Sequence, residues 1–196
     1  GDGKNDWPAI MRALAEAGAG VAAVACNTAY AAAIMEPLRE KLKKEGLSLE
    51  LVDMIEATGE YVRGRFGPGA RVGLLATEGT IRCRVYERLL DGPGAVRSLV
   101  IPDEEMILRV HRAIYNREWG IKACSNPVSE KAAGECRAAA EHLADKGAAA
   151  VILGCTELPL ALPGRFLGSM ELIDPTLITA RALVKKAAPE KLRPLE

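Results

Sequence analysis

The sequence predicts an α/β protein made of two similar parallel-sheet lobes. Three observations carry this. Short apolar runs of strand length alternate with amphipathic helical stretches, the βαβα order that builds a parallel sheet. The run Val151-Ile152-Leu153 is apolar throughout, as expected of a strand covered on both faces. The chain also echoes itself. Leu14-Ala-Glu-Ala-Gly18-Ala19 leads through Val21–Ala25 to Cys26-Asn27-Thr28. Leu143-Ala-Asp-Lys-Gly147-Ala148 leads through Ala150–Gly154 to Cys155-Thr156-Glu157, with the same spacing from leucine to cysteine. Each half ends a strand on a thiol, at the sheet edge where ligands collect in open α/β folds.

The elements follow in order. Gly1–Trp7 is polar and reads as a loop, with Asp6 or Trp7 near a cap. Pro8 suits a first helical position, and Ile10, Met11, Leu14 and Ala15 form the apolar stripe of a helix ending at Gly18. The strand Val21–Ala25 delivers Cys26. Ala29–Glu45 reads as a helix with a basic end, and Pro37 marks a restart or a kink within it. Leu49–Met54 is a second strand, followed by a helix over Ala57–Arg65 and a turn at Phe66-Gly67-Pro68-Gly69. Val72–Ala76 is the third strand. It opens into Thr77-Glu78-Gly79-Thr80 and a helix with Ile81, Val85 and Leu89 on one face. That turn fits an anion cradle at a helix N-terminus, and fits an ordinary capped turn equally well.

Asp91–Gly94 is a turn and Ser98–Ile101 a short strand. A helix from Pro102-Asp103 turns Met106, Ile107, Val110 and Ile114 inward, leaving His111 on its flank. Arg117–Ser129 is irregular and holds Lys122, which by itself reads as a solvated loop lysine. Ser129–Lys146 is helical, with Cys136 on the core face and Gly147 at the C-cap. The last helix covers Thr176–Ala187.

Composition narrows the function. The 196 residues are 49% hydrophobic and 27% charged, enough for one domain or two small ones. Lys+Arg and Asp+Glu are both 26, so nothing favours nucleic acid or an anionic membrane surface. No apolar run approaches the roughly 20 residues that span a bilayer, and no secretory signal is visible. The five cysteines are odd in number and form no CxxC pair, which fits a reducing cytosol better than a disulfide framework. His111 and His142 lack ligand spacing to the cysteines, so no metal is expected.

Alone, Cys26 or Cys155 equally suits a small apolar role at a strand end. The matched register, with hydroxyl or amide side chains after each, favours chemistry. Neither motif contains a histidine base. Two thiols on related halves can instead face each other, one removing a proton from a carbon and the other returning one on the opposite face. One partner must then be a thiolate, so nearby N–H groups and helix N-termini have to lower a pKa of about 8.5.

At this point a resemblance emerges. Ala25-Cys26-Asn27-Thr28-Ala29, Gly73-Leu-Leu-Ala-Thr77-Glu-Gly-Thr80 and Gly154-Cys155-Thr156-Glu157 resemble the aspartate/glutamate racemase family, as do Val52-Asp-Met54-Ile55-Glu56 and Leu172-Ile-Asp174-Pro175. The resemblance implies two α/β lobes with the active site between them. Their expected extents are 1–60 plus 172–196, and 61–171. It implies Cys26 and Cys155 as the acid/base pair. Asn27, Thr28, Thr77, Thr80 and Thr156 would bind the substrate carboxylates and amine, and Lys122 the substrate side chain. It further implies no cofactor or metal, an amino-acid substrate, and a cytoplasmic homodimer. Two departures stand out. The family's opening strand and glycine-rich turn precede the point where this chain begins, so the first lobe is expected to lack a strand. Tyr30 also stands where many members have His. The alternatives are a hydantoin racemase, a maleate isomerase or a malonate decarboxylase, or a truncated small-acid-binding domain without turnover. Retention of both cysteines argues against single-cysteine decarboxylases.

Overall fold

A computed structural model describes residues 6–67, 69–91, 96 and 98–195. Helix α1 (Trp7–Glu16) starts at Asp6, whose carboxylate accepts the Ala9 N–H at 3.2 Å. Strands β1 (Val21–Ala22) and β2 (Glu50–Leu51) pair in parallel, joined by α2 (Ala32–Lys44). Helix α2 continues through Pro37 without restarting. Pro37 is exposed, and Met35, Leu38 and Leu42 anchor the helix to the core on both sides of it.

Both strands are shorter than expected. Past the ladder, Tyr30 takes over the pairing. Its buried hydroxyl accepts the Val24 N–H at 3.3 Å and donates to the Val52 carbonyl at 3.2 Å. Tyr30 therefore joins two strand extensions.

The larger sheet follows α3 (Met54–Phe66). It contains β3 (Arg71–Ala76), and after α4 (Glu78–Arg82) it gains β4 (Ser98–Val100). Helices α5 (Glu104–Tyr115) and α6 (Glu130–Asp145) lead to β5 (Ala150–Gly154). The short α7 (Leu158–Ala161) precedes β6 (Phe166–Leu167), β7 (Met170–Ile173) and α8 (Pro175–Ala187). The strand order is β4-β3-β5-β7-β6, parallel except for β6 against β7. Two features depart from the sequence reading. The helix expected through Leu89 stops at Arg82; Arg84 takes a φ of 55°, and a separate 3₁₀ turn holds Glu87–Leu90. The β6–β7 hairpin was not foreseen. The expected segments Gly1–Trp7, Phe66–Gly69 and Asp91–Gly94 fall partly outside the described residues.

Strand periodicity divides the core. Val72, Leu74, Ala76, Ala150, Ile152 and Ile173 face a cluster shared with α3, α8 and the small sheet. Leu75, Val151, Leu153 and Leu172 face α5 and α6, where Ile114, Cys136 and Leu143 are fully buried. Leu172 and Ile173 belong to the large sheet through β7, after which α8 returns against α3 and β1.

Tyr30→Phe keeps the ring and removes both hydrogen bonds. It strands the Val24 N–H, so unfolding free energy should fall by about 1–3 kcal/mol in urea titration, with the slope unchanged. An unchanged midpoint would mean that the hydroxyl does not carry this pairing.

Candidate active site

Cys26 follows β1 after three intervening residues, on extended backbone (φ −156°, ψ 114°), and opens the 3₁₀ turn Asn27–Tyr30. Cys155 leaves β5 directly. The two thiols come from different sheets and line one cleft of about 60 Å³, together with Asn27, Thr28, Thr77, Tyr115, Lys122, Gly154, Thr156 and Glu157.

Gly154 sets the position of Cys155. A β-carbon there would meet Leu74 Cδ1 at 2.8 Å and the Leu75 carbonyl at 3.1 Å, so any larger residue would have to push β3 aside. The Cys155 thiol is buried and donates to Glu157 Oε2 at 2.9 Å. Thr156 Oγ1 donates to the same oxygen at 3.0 Å, and Lys122 Nζ lies 2.9 Å from Glu157 Oε1. Burial pushes the Cys155 thiol up to about 12, and the hydrogen bond to Glu157 adds to the rise. Burial works against the Glu157 carboxylate too, but the hydrogen bonds from Cys155, Lys122 and Thr156 outweigh it and hold the group below its ordinary range. The hydrogen bond to Glu157 raises Lys122 in turn. Cys26, by contrast, is exposed.

Asn27 is buried. Its Oδ1 accepts from Tyr86 Oη at 2.5 Å, while its Nδ2 has no partner among the described residues. A buried amide donor at a cleft wall is a place for an acceptor on a ligand. Thr28 Oγ1 lies 2.7 Å from Thr80 Oγ1, which lies 3.0 Å from Thr77 Oγ1. Thr80 does not line the cleft; it is 1% exposed and joins the two threonines that do. Thr77 Oγ1 also accepts the Thr80 N–H at 3.3 Å, capping the five-residue α4. The ordinary-cap reading of this turn therefore accounts for its contacts.

The structure brings together Cys26, Asn27, Thr28, Thr77, Lys122, Cys155 and Thr156, all anticipated from sequence. It adds Glu157, Tyr115 and, behind Asn27, Tyr86. Glu157 was visible in the Gly-Cys-Thr-Glu run without an assigned part. Tyr115 lies under Lys122, 5.0 Å from ring centroid to Nζ. Burial raises its hydroxyl pKa, and Lys122 opposes the rise. Neither tyrosine carries a sequence signal, because only the fold turns them toward the site. His111 stacks on Tyr115 at 4.9 Å and is not part of the cleft wall. Among the described residues, no group of three or more His, Cys, Asp or Glu could hold a metal ion, and no helix is long and apolar enough to cross a membrane.

A parallel-sheet α/β fold with paired thiols at one cleft defines a class, and comparison with known proteins defines the family. The profile described as Asp/Glu/hydantoin racemase matches residues 2–183. The chain belongs to that family. It is 29% identical over 176 residues to a glutamate racemase of Desulforudis audaxviator (strain MP104C), covering 88% of this chain and 58% of that relative. The chain thus spans little more than half the length of that relative. The crystal structure of an aspartate racemase homologue from Pyrococcus horikoshii OT3 superposes with a TM-score of 0.68 at 27% identity, over 92% of this chain and 72% of that one. Aspartate racemase of Picrophilus torridus gives 0.65 at 21% identity, over 90% and 66%, a likeness of fold alone.

The two thiols should differ in reactivity. Raising a thiol's pKa lowers its thiolate fraction at any given pH, so iodoacetamide at pH 8 should label exposed Cys26 well before Cys155. Labelling of Cys155 should quicken about tenfold per pH unit toward about 12. Peptide mass spectrometry reads both sites, and early labelling of Cys155 would contradict the environment described.

Proposed function

We propose that this protein racemises an acidic amino acid, aspartate or glutamate, by two-base proton transfer between Cys26 and Cys155. The observation that carries the reading is that one cleft receives thiols from two different sheets. Membership of the racemase family supports the reaction class. The Asn27 amide donor and the Lys122 ammonium support a substrate with more than one carboxylate. The proposal includes turnover without pyridoxal phosphate or metal, lobes spanning 1–60 plus 172–196 and 61–171, and a cytoplasmic homodimer. Family likeness alone carries these extensions.

The thiolate of one cysteine takes the α-proton, and the electron pair spreads onto the α-carboxylate. The thiol of the other then gives its proton to the opposite face. The amino acid leaves inverted, and the two cysteines have exchanged protonation states. Thr28, Thr77, Thr156 and Asn27 would hold the carboxylate that gathers charge, and fixed donors of this kind are the larger part of such catalysis. Thr80 would act behind them as a positioning residue. Burial and the hydrogen bond to Glu157 hold Cys155 as a thiol in the resting cleft, the state of a proton donor, and each cysteine takes the donor's part for one enantiomer.

Cys26→Ser and Cys155→Ser should each lower racemisation by about 10²–10⁴-fold, since each removes one of the two proton-transfer groups. In deuterated water each variant should still exchange the α-proton of one enantiomer with retention, and the two variants should prefer opposite enantiomers. Chiral chromatography with mass spectrometry measures both. Near-parent racemisation by either variant would rule out the two-base mechanism.

A further inference from the structure

Glu157 is committed at both oxygens: Oε1 faces Lys122 Nζ at 2.9 Å, and Oε2 accepts from Cys155 and Thr156. A substrate carboxylate delivered to Lys122 meets an ammonium already paired with Oε1 and competes with it for that charge. Resting on the acidic-substrate reading of the cleft, we propose that Glu157 is a specificity-determining residue that acts as a built-in competitor. The side-chain carboxylate of a substrate takes Lys122 only by exchange with Glu157.

The two ends of this ion pair are held differently. The Glu157 side chain is 20% exposed and fixed by two neighbours; that of Lys122 is 46% exposed and comes from a loop. Lys122 is therefore the end that moves, and the Tyr115 ring face beneath its ammonium offers it a second contact. Exchange keeps Lys122 paired, one carboxylate replacing another. A substrate with a neutral side chain offers nothing to exchange and leaves the pair closed, which is how the arrangement selects for acids. The same carboxylate acts on the thiol. Cys155 faces Glu157 and Lys122, Tyr115 and Cys26 line the same cleft, and Glu157 is the anion in contact with it.

The test uses the full chain and succinate, a dicarboxylate without an amine. Glu157→Gln keeps the shape and removes the charge. Calorimetry should show succinate binding roughly 2–5-fold tighter, the range expected for release from a partly exposed ion pair. The pH of half-maximal iodoacetamide labelling at Cys155 should fall, because the anion that disfavours the thiolate is gone. Lys122→Met should weaken succinate binding and abolish the gain from Glu157→Gln in the double variant. Unchanged or weaker binding in Glu157→Gln, a gain that survives Lys122→Met, an unmoved labelling profile, or no succinate binding by any form would each overturn the proposal. The racemisation assay stands apart. A chain that shows this binding pattern and inverts no amino acid would keep the competitor and defeat the racemase reading.

Discussion

The register between β3 and β5 is the constraint on which the site depends. Ala76 pairs with Gly154, so the next residue of each strand, Thr77 and Cys155, leaves the sheet beside the other. The close approach at Gly154 favours this register locally, since a slip of one residue would bring a side chain against the Leu75 carbonyl. From Thr77 the connection to the other thiol runs through hydroxyls. Thr77, Thr80 and Thr28 form a chain ending beside Cys26. Tyr86 on Asn27 adds a second tie, and Arg88 on Asp53, at 3.1 Å, adds a third. The cleft therefore results from one strand register relayed across four polar contacts.

The two thiols are alike in sequence and unlike in surroundings. Cys155 is buried and bonded to a carboxylate, whereas Cys26 is exposed at the start of a turn. Both differences follow from the strands behind them. β5 is central and runs up to Cys155, while β1 ends several residues before Cys26 and leaves it on extended backbone. The internal echo thus fixes the positions of the pair but not their chemistry, which depends on what each strand end meets.

Much of the fold was legible in the sequence because strands covered on both faces, helix caps and glycine turns leave local signals. Ser129 caps α6 as expected, and its C-cap is Lys146, one residue before the expected Gly147, which follows at a φ of 82°. The signals failed where tertiary contact decides. The helix expected through Leu89 has the right periodicity, and Val85 and Leu89 are indeed buried, but the backbone breaks at Arg84. Strand β7 was missed because Glu171 interrupts its apolar run. Glu171 is nonetheless buried, since Tyr61, Arg65 and Arg165 all donate to its carboxylate. In the site, the residues that follow each cysteine were legible through the repeated motif. Thr80 was also singled out, but its position behind the cleft rather than on it could not be read from spacing. Glu157 required the distance to Lys122 before its contacts had meaning.

The central claim is that Cys26 and Cys155 share one cleft, and a short thiol-bridging reagent tests it most directly. Dibromobimane attached first at exposed Cys26 would hold its second electrophile beside Cys155, and the high effective concentration of a tethered group compensates for a slow thiol. At alkaline pH, digestion and mass spectrometry should yield one fluorescent peptide pair joining Cys26 to Cys155. Single adducts alone, or a bridge from Cys26 to Cys83 or Cys124 in place of Cys155, would contradict the account.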